Sequence, residues 1–189
     1  MILTEEQKEK NKALFFEKLS QVTSPGTLES DFGEVLENGT FSNAQHENLM
    51  GDGTLINTVL RKLTPMALKL NEVLPESNRV DRDKIIKVCL LSHISKAVRL
   101  VRNDNEWEVS KRNILYKYNP NNPSIKTGFH SLLIAQNSGI KFTEDEAEAM
   151  IINDRDPNDE QARWYASPLA TIIKMANELV YINEINSNK

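Results

Sequence analysis

The sequence predicts a mostly α-helical fold, a helical bundle with a small β-hairpin insertion and an extra N-terminal helix. Three observations carry the helical part of this prediction. Apolar residues recur at helical spacing along most of the 189 residues, and Ser/Thr capping signals precede two of these stretches. Only one stretch alternates in the manner of paired strands. Hydrophobic residues make up 39% and charged residues 26%, which suffices for one domain with a substantial core.

The N-terminal half is predicted to be helical around a polar linker. Thr4 followed by Gln7 is typical of a capping box, and Ser24-Pro25-Gly26 is expected to end the first helix. Residues 30–53 are polar and are expected to form loops around one short helix. The predicted helices are 4–20, 32–36, 54–73 with an interruption near Pro65, and 82–102.

The C-terminal half begins with a predicted β-hairpin over residues 107–118, where β-branched and aromatic residues surround a polar turn. A loop rich in Pro and Asn follows at 119–123. Thr143 precedes an acidic first turn and is expected to cap a helix. The remaining predicted helices are 127–138, 144–153 and 168–185, with a shorter one near 159–165.

Two segments are distinguished: residues 1–38 as the N-terminal helix and linker, and residues 39–189 as the helical domain. The apolar Leu14-Phe15-Phe16 face docks either on its own domain or on a partner subunit, and the sequence leaves both open.

Composition argues against several functional classes. The net charge of −4 disfavours a nucleic-acid partner, and no apolar run approaches the ~20 residues that cross a bilayer. The polar N-terminus does not resemble a signal peptide, and Cys89 has no partner for an intramolecular disulfide, so a cytoplasmic location is expected. Abundant Asn and the excess of Lys over Arg are common in AT-rich genes, and a phage origin is a hypothesis on that ground.

The segment Leu90-Leu91-Ser92-His93-Ile94-Ser95-Lys96-Ala97 resembles the metal-binding helix of HD-domain phosphohydrolases, which typically has Leu-Leu-His-Asp-Ile-x-Lys-Ala. Weaker similarities follow the same order along the chain, at 53–58, 102–118, 131–147 and 168–177. The resemblance covers roughly residues 40 to 183 and implies the HD-like helical bundle.

The resemblance also implies that the metal ligands have been replaced. Ser92 and His93 stand where the family has its His-Asp pair. The other ligand positions hold Asn57, Thr127 (with His130 nearby in a shifted register), Asn153 and Asn177. Hydroxyls and amides are poor substitutes for imidazole and carboxylate ligands, so we expect a pseudo-enzyme without catalytic residues, metal or other cofactor.

Lys96 and Lys117 match lysines of the family, and with Arg102 they are candidates for holding a phosphate without a metal. The alternative is that these cations are solvated and that the neutral residues of the remnant site hydrogen-bond one another. A relocated metal site from His46, His93 and His130 with Asp154 or Glu178 has no supporting short motif. The acidic stretch 154–160 lacks the spacing of an EF-hand and favours a solvated loop.

Three functions follow as hypotheses. The first is a non-catalytic HD-like structural or adaptor protein that binds a protein partner or a second copy of itself. The second is a nucleotide-binding protein that uses the remnant pocket, and its nucleotide binding should weaken when Lys96 or Lys117 is changed to Ala. The third is a residual metal-dependent phosphohydrolase that depends on His93 or His130.

Overall fold

The computed structural model of the chain describes residues 3–41, 51–155 and 166–187, with side chains described up to residue 183 of the last segment. These residues are mostly helical and include one small two-stranded antiparallel sheet. The helices are α1 (Glu5–Val22), α2 (Leu28–Asn38), α3 (Thr54–Thr58), α4 (Thr64–Val73), α5 (Arg82–Leu91), α6 (Glu106–Arg112), α7 (Thr127–Asn137), α8 (Glu144–Ile151) and α9 (Pro168–Ser187), and the strands are β1 (Leu100–Arg102) and β2 (Tyr116–Tyr118). None of the described helices combines the length and apolarity needed to cross a bilayer.

The N-terminal helix packs into the same core as the rest of the chain. The predicted capping box is confirmed, because Thr4 and Gln7 exchange side-chain and backbone hydrogen bonds at the start of α1. Phe15, Phe16 and Leu19 are buried where α1 contacts α2, α3 and α5. Docking of this helix on its own chain is therefore what the structure shows. The next helix, predicted over 32–36, is longer and forms α2.

The predicted interruption near Pro65 is corrected to a continuous helical segment from α3 to α4. A π-helical turn, Val59–Leu63, joins the two. Proline lacks an N–H and its ring crowds the carbonyl four residues earlier, and a wider turn just before it relieves both problems. The Val59 carbonyl accepts from the Thr64 N–H and, at 2.9 Å, also from the Thr64 hydroxyl.

Helix α5 ends at Leu91, not at residue 102 as predicted, and a 3₁₀ turn, Ile94–Lys96, follows. The chain leaves the helix because its polar groups bond to α7 instead. The Ser95 N–H donates to the Ser131 hydroxyl at 3.1 Å, and the Ser95 hydroxyl donates to the Thr127 carbonyl at 2.8 Å. These bonds fix the turn that carries His93 and Lys96.

The predicted hairpin at 107–118 is wrong for its first half. The strand that pairs with β2 is β1, with Leu100 opposite Tyr118, and residues 106–112 between them form α6. The Asn105 side chain caps this helix by accepting from the N–H groups of Trp107 and Glu108. Asn113 ends the helix in the left-handed region, with φ of 54°. These caps, absent from the alternation argument, override the strand propensity of the segment.

The C-terminal helices follow the prediction closely. Helices α7, α8 and α9 form where expected, except that α8 ends at Ile151 and a 3₁₀ turn, Ile152–Asp154, continues it. The capping box at Thr143 is confirmed. The helix predicted at 159–165 lies outside the described residues. Helix α9 packs on α4, α5 and α8, so one core connects both halves of the described chain.

Candidate functional site

A cavity of about 480 Å³ opens where the ends of several helices meet. Its polar lining comes from the turn after α5, the start of α7, the turn after α8 and the middle of α9. The lining residues are Phe41, His93, Lys96, Thr127, Asn153, Asp154, Asn177, Glu178, Tyr181 and Ile182.

Four residues of the predicted remnant pocket, together with Lys96, line this one cavity. They are His93, Thr127, Asn153 and Asn177, which are as far apart as 84 positions in sequence. Helix packing alone brings them together, since each lies on a different element.

The other three predicted pocket residues lie elsewhere. The Asn57 side-chain oxygen accepts from Arg61 at 3.1 Å and from Asn11 at 3.4 Å, on the face of α3 that meets α1. Ser92 is buried in the core behind the cavity wall, and its hydroxyl has no partner among the described residues. His130 is half-buried, and burial together with the charge of Arg99 lowers its pKa.

Two of the three predicted phosphate-binding cations also lie outside the cavity. Arg102 and Lys117 belong to the two strands, where Lys117 pairs with exposed Asp104. Arg102 lines a separate open groove beside α2. In the described part of the chain, Lys96 is the one lysine or arginine that lines the cavity.

His93 and Asn177 form a buried polar pair in the wall of the cavity. His93 Nε2 and Asn177 Oδ1 are 2.7 Å apart, and each residue is only 8% exposed. With Asn177 placed so that its oxygen faces the ring, Nε2 carries the proton and donates. His93 Nδ1 and Asn177 Nδ2 are then a buried acceptor and a buried donor without partners among the described residues.

The imidazole of His93 is uncharged at neutral pH. Burial lowers its pKa to about 3, the charge of Lys96 acts in the same direction, and the hydrogen bond to Asn177 opposes them. A neutral ring is the form that accepts a hydrogen bond at Nδ1. An unmet acceptor and donor at a cavity wall are costly unless water or a ligand satisfies them.

Lys96 is a buried cation at the same wall, with 7% of its surface exposed. Its Nζ donates to the Phe41 carbonyl at 2.9 Å and lies 4.2 Å from the centre of the Phe41 ring. The His93 ring packs edge-on against that aromatic ring, with centroids 5.0 Å apart. Burial, and secondly the charge of Arg99, lowers the Lys96 pKa to about 8. No carboxylate of the described residues lies within salt-bridge distance of this ammonium.

A hydrogen-bonded network holds the opposite wall in place. The Arg99 guanidinium donates to the Thr127 hydroxyl at 2.7 Å, and the Ser131 hydroxyl donates to the Thr127 carbonyl at 2.8 Å. The Asp154 carboxylate accepts from the Phe129 N–H at 2.7 Å. The start of α7 is therefore tied both to the turn carrying Lys96 and to the turn after α8.

The donor set of the cavity is chemically poor for a metal. Among residues 3–41, 51–155 and 166–187, no three His, Cys, Asp or Glu side chains are placed to share one ion. His46, invoked for a relocated metal site, lies outside the described residues, as does most of the acidic stretch 154–160. Besides the carboxylates of Asp154 and Glu178, the lining offers amides, hydroxyls, one neutral imidazole and one ammonium, and the ammonium is the group that suits an anionic part of a ligand.

Sequence reasoning missed two aromatic members of the lining, Phe41 and Tyr181. Phe41 lies in a polar stretch rich in Gly and Asn, where no periodicity marks it as part of a packed surface. Tyr181 belongs to α9 and shares the helical spacing of ordinary core residues. Neither carries a signal in the sequence that would have distinguished it.

Comparison of the chain with protein-family profiles, with curated proteins and with solved structures finds no match.

Proposed function

We propose that this protein is a non-catalytic binding protein on an HD-like scaffold, whose cavity holds a small polar ligand with an anionic group. One observation carries the proposal: four positions that the resemblance assigns to lost metal ligands line a single cavity with a buried lysine that forms no ion pair with any described carboxylate. A nucleotide is the ligand class that we propose, because it combines a phosphate for Lys96 with polar base edges for the amides.

The electrostatics of the cavity support an anionic ligand. Burying an ammonium without a carboxylate is unfavourable, and an incoming phosphate or carboxylate would relieve that penalty. Two acidic side chains, Asp154 and Glu178, stand at the rim. Neither carboxylate lies within salt-bridge distance of the Lys96 ammonium: Asp154 accepts from the Phe129 N–H, and Glu178 is exposed.

The unpaired atoms of His93 and Asn177 support a ligand that also has uncharged polar groups, provided that the two side chains, whose unpaired atoms each expose less than 1 Å², turn toward the cavity when the ligand binds. A bare imidazole nitrogen needs a donor, and an amide NH₂ needs an acceptor. Each satisfied buried hydrogen bond of this kind contributes about 1 kcal/mol.

The test is thermal unfolding in the presence of EDTA with nucleoside mono- and diphosphates and inorganic phosphate. A ligand at one hundred times its dissociation constant stabilises the native state by ~2.7 kcal/mol, which is roughly 5–10 °C for a chain of this size. Lys96→Gln should abolish most of that shift, because a hydrogen bond to a charged group contributes ~1.5–3 kcal/mol. Lys174→Gln, at an exposed position of α9, is the matched control.

No shift with any of these compounds would contradict the proposal. A parallel measurement replaces EDTA with Mn²⁺. A shift that appears only there, together with nucleotide turnover, would replace the proposed binding function with residual phosphohydrolase activity.

A second candidate, the adaptor role, is favoured by an apolar row on α9. Met175, Leu179 and Ile182 are 47%, 39% and 55% exposed and share one helical face. A second copy of the chain is the partner we propose for this row. Light scattering across a hundredfold concentration range tests it: a dimer that Leu179→Lys dissociates supports the adaptor role, and a monomer throughout contradicts it.

A further inference from the structure

We propose that Lys96 forms an imine with an aldehyde or ketone ligand that enters the cavity, which makes this a site of covalent as well as non-covalent binding. The inference rests on the cavity of the proposed function but uses different chemistry. Anion binding requires the charged ammonium, and imine formation requires the uncharged amine.

The geometry separates Lys96 from the other buried lysines of the described chain. Lys8 and Lys87 are equally buried, yet each forms an ion pair at 2.7 Å, with Glu5 and Glu146 respectively. Lys96 has no such pair and donates to one backbone carbonyl. It also lines a cavity of about 480 Å³, which has room for a small carbonyl compound. A buried amine without an ion pair, at the wall of a cavity, is what such a nucleophile requires.

The charges around Lys96 favour its uncharged form. Arg99 belongs to the same stretch of chain and repels the ammonium, while burial removes its hydration. The carboxylates of Asp154 and Glu178, on the turn after α8 and on α9, favour the ammonium, but neither lies within salt-bridge distance of it, and His93 is neutral beside it. A lysine that is desolvated and adjacent to another cation is the arrangement that activates amines toward carbonyl groups.

The size of the effect follows from the Lys96 pKa of about 8. At pH 7.4, about one fifth of such amines are uncharged, against roughly one in a thousand for an exposed lysine of ordinary pKa. The ammonium remains the major form, so the same residue still serves anion binding. Both forms are populated near neutral pH.

The step balances without any redox partner. The lone pair of uncharged Nζ forms a bond to the carbonyl carbon, and the carbonyl oxygen takes up a proton to give a carbinolamine. The carbinolamine loses that oxygen as water, the nitrogen gives up its remaining transferable proton, and a C=N bond remains. The net reaction is amine plus carbonyl to imine plus water.

The experiment uses glyoxylate, which carries an aldehyde and a carboxylate, with cyanoborohydride to trap the imine as a secondary amine. Peptide mass mapping measures the rate at each lysine of the folded wild-type protein. We expect Lys96 to react at least about tenfold faster than exposed Lys174 at pH 7.4, and its rate to level off above pH 8. The Lys174 rate, measured at each pH in the same sample, is the reference for an exposed lysine.

Arg99→Gln tests the electrostatic part of the inference, because removal of the Arg99 charge should raise the Lys96 pKa. Labelling of Lys96 at pH 7.4 should then fall several-fold, and its pH midpoint should move upward. Lys174→Arg, the matched control, should change neither value. Equal labelling of Lys96 and Lys174 in the wild-type protein, or a Lys96 profile that matches the surface lysines, would overturn the inference whatever the variants do.

The inference and the proposed function fail separately. Nucleotide binding in EDTA that depends on Lys96, with no preferential trapping, would remove the imine alone. Preferential trapping at Lys96, with no nucleotide or phosphate binding, would remove the proposed ligand class and leave the imine.

Discussion

A buried ion pair between Lys87 and Glu146 joins α5 to α8. Its removal tests whether burial sets the loss of stability when an ion pair is broken. The two charged atoms are 2.7 Å apart, and the side chains are 9% and 6% exposed. Glu146 also accepts from the Thr143 N–H at 2.8 Å and so completes the cap of α8. We propose Glu146→Gln, which removes the charge and keeps a side-chain acceptor for the cap.

The expected loss follows from the surroundings of Lys87. Removing one partner of a buried pair typically destabilises a protein by ~3–5 kcal/mol, since the other charge stays buried alone. Lys87 also donates to the Lys141 carbonyl at 2.7 Å and lies 4.8 Å from the centre of the Phe142 ring. Because these contacts partly compensate, we expect the lower end, about 3 kcal/mol of unfolding free energy.

The chain supplies its own control on the same two helices. Lys84 and Asp145 form a pair at 2.8 Å with both side chains 35% exposed. Asp145→Asn should cost about 0.5 kcal/mol, because water screens an exposed pair. Urea unfolding at pH 7 measures both variants. A loss for Glu146→Gln no larger than that for Asp145→Asn would refute the reasoning that burial sets the cost.

Three further predictions concern other buried groups. Gly128→Ala should destabilise the protein by ~1–3 kcal/mol in urea unfolding, because an added Cβ would lie 2.3 Å from the Met150 carbonyl oxygen. An unchanged midpoint of urea unfolding would show that α7 and α8 separate easily at this point. The Cys89 thiol is fully buried, and burial raises its pKa to about 12, so a thiolate-specific reagent at pH 8 should react only after denaturation; rapid native labelling would contradict this. The folded His93 stays neutral down to about pH 3, while the unfolded residue protonates near 6.5. The free energy of unfolding should therefore fall by ~1.4 kcal/mol for each unit by which the pH is lowered between those values. His93→Asn should reduce that slope of unfolding free energy against pH by one proton, and an unchanged slope would mean that the imidazole is not buried uncharged.

Local signals in the sequence predicted the helix starts well. The Thr4 and Thr143 capping boxes act within three residues, so they are visible without any knowledge of tertiary contacts. The positions of α7 and α9 followed from apolar spacing that the core then uses.

The errors arose where distant contacts decide the backbone. The end of α5 depends on bonds from Ser95 to α7, more than thirty residues later, and periodicity cannot reveal them. The first predicted strand is a helix, which depends on the cap by Asn105. The prediction followed the alternation of apolar residues and did not use this cap. Of these two segments, only the one after α5 lines the cavity, through His93 and Lys96.

The candidate site was accessible to sequence reasoning only in part. The resemblance named His93, Thr127, Asn153 and Asn177 individually, and the packing of four elements was needed to place them at one cavity. The same packing leaves Asn57 on α3 bonded to Arg61. Among the described residues no carboxylate forms an ion pair with Lys96, and this is a tertiary property that no spacing encodes.

The most direct test of the central claim, that this cavity binds a small anionic ligand without a metal, is a titration followed by ¹⁵N NMR. The side-chain NH₂ signals of Asn153 and Asn177 report on the cavity itself, and Asn57 serves as a reference on α3. With a nucleoside monophosphate in EDTA, the first two signals should shift and saturate, the reference should not, and Lys96→Gln should need at least about tenfold more ligand to reach half of the shift. Unchanged signals from Asn153 and Asn177 at millimolar ligand, or the same half-saturation concentration in Lys96→Gln, would contradict the claim.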